Sequence, residues 1–514
     1  MVTRNLILPQ TYNDSIVLMQ YTVKLEALPG VDKAAIMMGT PAVLQFLEEN
    51  ALLAVDKKTI SADDIVLAAV GEDSTALDKA LEKIAQKLSS NDLQQGGRGN
   101  LAAMELARDE GITWREVPAE ANVVLISVPG QYAAAEAWKA LKSNRHVMLF
   151  SNDVSLEDEV ALKKAAQERS LLLMGPDCGT AILNGVPLGF ANAVREGDIG
   201  IVAAAGSGLQ ALTCLIDQLG GGIAQAVGTG GRDLKREVQG ITTRMALTML
   251  AYDEKTRVVV ILSKPPDADI ARQILAEAKK IDKPVVMCLL GMQWNQAKDG
   301  NVHFASTINE AAKLAVQLAK GVVGDVVVDR IPGKVKITKG CLRGFYSGGT
   351  LAYEAYLLLR KELAEIYSNA PLNAKYRIDL DGLDSGKHII LDLGTEEFTL
   401  GRAHPMIDGR WRSELIAQTG ENQDVRVVLL DIILGYGADE NPVGSIIESI
   451  RLAKETAAKQ GRELTFIAFL VGTERDPQNY AQQAAFLQEA GVELAENNEM
   501  AVQMAMRHLT ENSK

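Results

Sequence analysis

Ile201-Val202-Ala203-Ala204-Ala205-Gly206-Ser207-Gly208 and, further on, Phe345-Tyr346-Ser347-Gly348-Gly349-Thr350 present one device twice: an apolar run, a small-residue turn, then a long apolar-periodic stretch. Each copy continues with a second Gly-centred turn, Val227-Gly228-Thr229-Gly230-Gly231-Arg232-Asp233 in the first and Leu391-Asp392-Leu393-Gly394-Thr395-Glu396-Glu397 in the second. A buried-strand run follows in each (Val258 to Leu262; Val427 to Leu430), then a helix, then a closing strand ending in glycine (Val285 to Gly291; Leu464 to Gly472). Order, turn chemistry and strand type all recur, which predicts a duplicated α/β module with comparable ligand-facing turns in both copies.

Working outward, the 514 residues predict about three or four domains, and 47% hydrophobic residues with few aromatics suit a well-cored α/β protein. A net charge of -13 repels phosphate polymers, and no Lys/Arg run interleaved with aromatics relieves it. Nucleic acid is excluded as the expected partner. Cys178, Cys214, Cys288 and Cys341 lack the CxxC spacing of a zinc or redox site and read as reduced thiols. Asn5, Asn13 and Asp14 arrive too early for a signal peptide, and no apolar run approaches the roughly 20 residues of a membrane span. A cytoplasmic location is expected.

Residues 1–90 predict a small α/β domain: a strand at Leu6-Ile7-Leu8, a helix from about Ser15 to Leu28, a strand Ala34 to Met38 closed by Gly39-Thr40-Pro41, then a strand Asp64 to Val70 and a helix Ser74 to Leu88. Residues 91–118 read as an exposed linker, with no apolar period surviving around Gln94 to Asn100. Over 119–195 the strands Val123 to Val128, Val147 to Phe150 and Leu171 to Met174 are apolar throughout, the mark of a parallel sheet buried on both faces. Ligand is expected at their C-terminal turns: Ser127-Val128-Pro129-Gly130, Ser151-Asn152-Asp153, and Gly175-Pro176-Asp177-Cys178-Gly179-Thr180. The first module takes 196–322, a Val-rich connector 323–339, and the second module 340–514 with an insert over about 366–387.

The turn Gly206, Ser207, Gly208 leaves several backbone N–H groups free at a helix N-terminus, where an anion binds without a charged side chain. An N-capped turn without ligand explains one copy; recurrence at Ser347, Gly348, Gly349 and Thr350 favours the anion. Gly230, Gly231, Arg232 and Asp233 place a guanidinium able to grip a carboxylate or phosphate beside an acid, or else form a surface ion pair. Around Gly394 the second copy has acids and no arginine, so the halves are not interchangeable. Lys264, between a buried strand and Pro265-Pro266, is able to neutralise phosphate or simply to be solvated. His404, set between Arg402 and Asp408 in irregular structure, is the candidate acid-base group, with an Asp408 helix cap as the competing account. His146 and His508 read as structural.

In these turns the chain resembles the succinyl-CoA synthetase superfamily: Gly200-Ile201-Val202 through Gly208 with Val227 to Asp233 is similar to the "GIVSRSG … VGIGGD" stretch of the α-subunit ligase domain, and Met174-Gly175-Pro176-Asp177-Cys178 to its "IGPNC" turn. Nearly the whole chain resembles the acyl-CoA-synthetase-like FdrA group, through Met37-Met38-Gly39-Thr40-Pro41, Phe150-Ser151-Asn152-Asp153-Val154, Gly230 to Leu234, Ser263-Lys264-Pro265-Pro266, His404-Pro405-Met406-Ile407-Asp408 and Gly472-Thr473-Glu474-Arg475-Asp476-Pro477. The resemblance implies a Rossmann-like CoA-binding-type domain and two flavodoxin-like ligase domains. It also implies working in a heteromer or homo-oligomer.

Two departures from the ligases matter. Where they carry a phosphohistidine this chain has Gly291-Met292-Gln293-Trp294 and then His303 without small neighbours, and the Gly-rich first half of their CoA-binding domain is replaced. The expectation is therefore a carbamoyl or acyl transferase subunit, as FdrA-type proteins imply, acting on carbamoyl phosphate or a similar acyl phosphate and a small carboxylate such as oxamate. An NDP-forming acyl-CoA synthetase and a non-catalytic anion-binding scaffold are the alternatives. No metal site is assigned. CoA, a nucleotide and Mg²⁺ stay open, Mg²⁺ through Asp392, Glu396, Glu397 and Asp431.

Overall fold

The computed structural model describes residues 2–9, 11, 15–61, 64–89, 117–118, 120–322, 340–383, 385–399 and 403–510. The connector 323–339, most of the linker 91–118 and Arg402 lie outside them.

The chain divides into two compact units, the first made essentially of residues 1–122. Its sheet has Ile65–Gly71 in the middle, antiparallel to Val2–Leu8 on one side and Lys33–Met38 on the other. Side chains alternate across that central strand. Ile65, Leu67 and Ala69 pack under the helices Ser15–Glu26 and Ser74–Ser89, while Val66 and Ala68 pack with Leu44, Leu47 and Leu52 on the other face. The sequence predicts a closing turn at Gly39-Thr40-Pro41. It is the start of a helix, Pro41–Glu49, with Thr40 accepting from the Val43 N–H and proline at the first position.

The second unit opens with a parallel three-stranded sheet (Val123–Ile126, His146–Leu149, Leu173–Met174) carrying the helices Gly130–Lys142 and Leu156–Glu168. The two modules follow. In the first, five parallel strands lie in the order Ile223–Gly228, Glu196–Ala204, Val258–Ser263, Val285–Leu289, Val302–Phe304, flanked by short antiparallel edge strands. In the second, the order Ile389–Asp392, Cys341–Tyr346, Val425–Ile433, Thr465–Val471, Glu493–Ala495 repeats it, with Tyr367–Ser368 added at one edge. Both are doubly wound in the flavodoxin-like order 2-1-3-4-5, so both have their switch point between the first and third strands. That topology puts Gly206 and Lys264 at one crevice, and Ser347 and Asp431 at the other.

One buried core runs through both modules, joining Leu209 and Leu212 to Leu351, Tyr356 and Leu359. Polar struts reinforce it. The Asp476 carboxylate accepts from the Thr473 N–H (2.8 Å), from Asn192 Nδ2 (2.9 Å) and from the Ala193 N–H (2.8 Å), and Gln218 Nε2 donates to the Gly472 carbonyl (3.0 Å), so Gly472 to Pro477 ties the second module to the first and to the segment just before it. All four cysteines are buried and unpaired. Among the described residues no helix is long and apolar enough to cross a membrane.

Candidate functional site

The first helix of the first module, Gly206–Gln218, starts straight from a strand, and its N-cap Ala205 has no side chain able to cap it. Among the described residues nothing accepts from the amides of Gly206, Ser207 or Gly208. Gly206 is exposed, and a Cβ placed on it meets no atom within 4 Å. Those amides therefore stand unpartnered at the positive end of a helix dipole, with open space beside Gly206 and buried surroundings at Ser207 and Gly208.

The matching helix, Gly349–Glu362, comes up against it. Ser207 Oγ accepts from the Thr350 N–H (3.2 Å), and a Cβ on Gly348 would stand 2.7 Å from Ser207 Cβ. Gly208 and Thr350 abut in the same way, a Cβ on Gly208 lying 2.6 Å from Thr350 Cγ2. The two turns thus meet at one seam. Yet the second turn is differently filled: the Ser347 and Gly348 N–H groups donate to the Asp431 carboxylate at 2.8 and 2.7 Å, and Ser347 Oγ donates at 2.9 Å. Asp431 is fully buried and is neutralised by Arg412, itself buried, at 3.1 Å. Arg412 also donates to the Asp431 carbonyl (2.6 Å). Of the second turn, the Gly349 amide alone keeps no acceptor among the described residues.

Lys264 leaves the end of Val258–Ser263 and reaches across the seam, its Nζ 3.0 Å from where a Cβ on Gly349 would stand. The Asp392 carboxylate touches the same point. Asp177 comes from the Gly175-Pro176 turn. Loss of solvation pushes its carboxyl up to about 6, Lys264 and Arg232 pull it back, and Asp392 and Asp153 push it further. Asp177 is nevertheless exposed to solvent, a pairing found at the floor of a cleft, where protein surrounds a group that water still reaches. Desolvation likewise raises Asp392, against Lys264 and the Gly394 N–H, which donates to its Oδ1 at 3.1 Å.

The Gly230 turn packs backbone to backbone on this floor. A Cβ on Gly230 would collide with the Pro176 carbonyl and stand 3.0 Å from Gly175 Cα, and its φ of +85° also favours glycine. Gly231 lies beside Asp177, a Cβ there being 3.9 Å from Oδ2. Arg232 and Asp233 are both taken up by protein partners, although Arg232 stays near enough to Asp177 to lower it. Asp233 is fully buried and accepts from Lys163 Nζ (2.6 Å) and from the Thr243 N–H (2.8 Å) and hydroxyl (2.6 Å). Arg232 pairs with Glu159 (2.8 Å) and donates to the Val154 carbonyl (2.7 Å). These four charges lock helix Leu156–Glu168 to the turn, with Lys163 Nζ also donating to the Thr229 carbonyl (3.0 Å). Neither of the two pairs was visible in sequence, because Lys163 and Glu159 arrive from a distant helix.

His404 does reach the seam. Its Nε2 is 2.5 Å, and the Ser347 carbonyl 2.9 Å, from where a Cβ on Gly394 would stand. Phe190 packs against the ring, centroids 6.3 Å apart. Burial pushes the imidazole down to about 4, so it is neutral at physiological pH. Asp408 does not serve it: both carboxylate oxygens accept from the Arg410 guanidinium (2.9 and 2.9 Å at Nε), and Oδ1 takes the Arg410 N–H, so Asp408 is the helix-side cap. Three of the other histidines, His146, His303 and His388, stand at or near the N-terminal ends of parallel strands, the edge opposite the turns. His508 pairs with Glu493 on the last helix. Among the described residues no group of three or more His, Cys, Asp or Glu side chains is arranged to hold a metal. Asp431 is committed to Ser347, Gly348 and Arg412, and Glu397 pairs with Arg377 at 2.8 Å.

Over 97% of both chains the protein is 36% identical to the uncharacterized protein YahF of Escherichia coli K12. The chain belongs to the YahF family of succinyl-CoA-synthetase-like proteins. Residues 345–508 match the CoA-ligase family, and residues 1–104 match the AllF heavy-metal-associated domain. Residues 1–104 hold neither cysteine nor histidine, so thiolate and imidazole donors for a metal are missing from that segment. The α1 subunit of the ADP-forming succinate–CoA ligase of Archaeoglobus fulgidus is 27% identical over 35% of this chain and 62% of that subunit. A dinucleotide-forming acetyl-CoA synthetase of Ca. Korarchaeum cryptofilum, solved with phosphate and ADP, aligns with 76% of this chain and 83% of its own at 14% identity and a TM-score of 0.34. This YahF-family chain is therefore acyl-CoA-ligase-like, and the findings back the ligase alternative over the carbamoyl transfer expected from sequence.

Proposed function

We propose that the seam is an acyl-phosphate site of CoA-ligase type, exchanging an acyl group between phosphate and the thiol of CoA. The observation that carries this is the set of unpartnered amides at Gly206, Ser207, Gly208 and Gly349, with Lys264 Nζ beside Gly349. Backbone dipoles and one ammonium fixed around a single point are what a phosphoryl group needs as its charge shifts during transfer. In the forward direction the thiol sulfur attacks the acyl carbon. The C–S bond forms, the C–O bond to phosphorus breaks, and phosphate leaves with the electron pair. The thiol proton passes to the Asp177 carboxylate, which burial has made a better base than a solvated aspartate, and from there to the released phosphate.

Asp392, held by the Gly394 N–H, stands beside Gly349 and orients the acyl end. Arg402, outside the described residues, stays a candidate for gripping an acyl carboxylate. The domain boundaries read from sequence, and partner subunits supplying a nucleotide-dependent step, belong to this proposal.

Incubation of the full chain with acetyl phosphate, labelled inorganic phosphate and CoA tests it: label should enter acetyl phosphate and acetyl-CoA should form. No thioester and no exchange with any of a panel of small acyl phosphates would overturn the reading. Carbamoyl phosphate belongs in that panel. FdrA-type transfer would appear as consumption of carbamoyl phosphate dependent on a small amide acceptor such as oxamate.

A further inference from the structure

The hydrogen bond on the far side of the His404 ring settles what its near side can do. The Met406 N–H donates to His404 Nδ1 at 3.2 Å, and a ring nitrogen that accepts carries no proton. In a neutral imidazole the proton then sits on Nε2, the atom turned toward Gly394 and the Ser347 carbonyl. Among the described residues Nε2 has no hydrogen-bond partner.

Resting on the acyl-phosphate reading, we propose that His404 is a neutral hydrogen-bond donor, its Nε2–H holding an oxygen of the bound phosphoryl group, and is neither a proton shuttle nor a phosphoryl carrier. Carrying phosphate on Nε2 requires a lone pair there, which moves the proton to Nδ1 and sets it against the Met406 N–H. Shuttling a proton requires the imidazolium, a cation in a pocket walled by Phe190 and backbone. Donation requires neither change. It adds a third kind of contact to the amides and Lys264, with no charge of its own.

Two measurements on the full chain decide the role. With ¹⁵N-labelled histidine, two-bond ¹H–¹⁵N correlations should report the Nε2–H tautomer for His404, and inorganic phosphate should shift that signal. An Nδ1–H tautomer, or labelled phosphate recovered on His404, overturns the proposal. In exchange of phosphate into acetyl phosphate, His404→Gln, which keeps an amide donor near the Nε2 position, should stay within about tenfold of the parent, while His404→Ala should fall about 10²–10³-fold, the usual loss of one oxyanion donor. Glutamine as inactive as alanine would overturn the donor role. If the parent chain exchanges nothing, the acyl-phosphate reading falls, and the tautomer with its phosphate-induced shift still decides for or against the donor.

Discussion

The two modules share strand order, turn position and helix entry, yet they treat the first amides of that helix in opposite ways. In the first module the amides of Gly206 to Gly208 are open; in the second, Ser347 and Gly348 are closed by a carboxylate the chain supplies itself. Cap position shows how little sequence separates the two. Counting back two residues from the N-caps Ala205 and Gly348 gives Ala203, which pairs with Leu262, and Tyr346, which lies one step past the Phe345–Leu430 pair, beside Asp431. Leucine in one copy and aspartate in the other decide whether the turn awaits an anion or already holds one. On the proposed reading, a duplicated fold yields a single anion point, assembled from the open turn of one copy and the spare Gly349 amide of the other.

The comparison breaks most sharply at the closed turn. Asp431→Ala leaves Arg412 buried without a counter-charge and unsatisfies two buried amides, so unfolding free energy should drop by about 3–5 kcal/mol, read by denaturant titration. A drop under about 1 kcal/mol would mean that the filled turn is no structural counterpart of the open one. At the open turn the larger effect falls on activity. Lys264→Ala should lower phosphate exchange by about 10²–10³-fold with stability little changed, because Lys264 pairs directly with neither Asp177 nor Asp392. Equal exchange in the variant would remove Lys264 from the site.

Much of this contrast was hidden in one dimension. The repeated strand–turn–helix order was legible because parallel strands buried on both faces are apolar along their length, and because each turn carries its glycines in the same place. Lys264, Asp177, Gly394 and His404 come together because strand C-termini share one edge of each sheet. What could not be read was pairing. Arg232 and Asp233 look like a ligand grip until Lys163 and Glu159 arrive from another helix. Asp431 did leave a signal, a charge inside the apolar run Val427 to Ile433, but its purpose needs Ser347 and Arg412 brought in from two other segments. His404 stood out as a loop histidine beside charge; its tautomer depends on an amide only two residues away, a matter of local geometry that residue types do not specify.

A smaller effect sharpens the comparison where the turns meet. Ser207 Oγ caps the opposing helix through the Thr350 N–H, so the first module completes the second. Ser207→Ala should cost about 1 kcal/mol, the usual loss of a side-chain cap, in thermal or denaturant unfolding. Unchanged stability would show that the turns touch without supporting each other.

The subtlest difference between the two sides of the seam is the sign of their response to acid. Burial lowers His404, on the second-module side, to about 4, and burial with Arg343 lowers His388 to about 4 as well. An unfolded histidine titrates near about 6.5, so between that value and about 4 the unfolded chain binds more protons, and these residues withdraw stability as pH falls through the window. Asp177, on the first-module side, is raised to about 6; its contribution is present in acid and is lost as pH rises through that value. The terms oppose, so single variants rather than the net slope carry the test. Relative to the parent, His404→Gln should gain stability as pH drops from about 6.5 to 4. Asp177→Asn should instead gain on the parent as pH rises from about 4 to 6, the smaller change because solvent reaches that carboxyl. Parallel pH curves for His404→Gln and the parent would mean that the imidazole takes up its proton in the fold as readily as in water, and the asymmetry between the two sides would lose its electrostatic half.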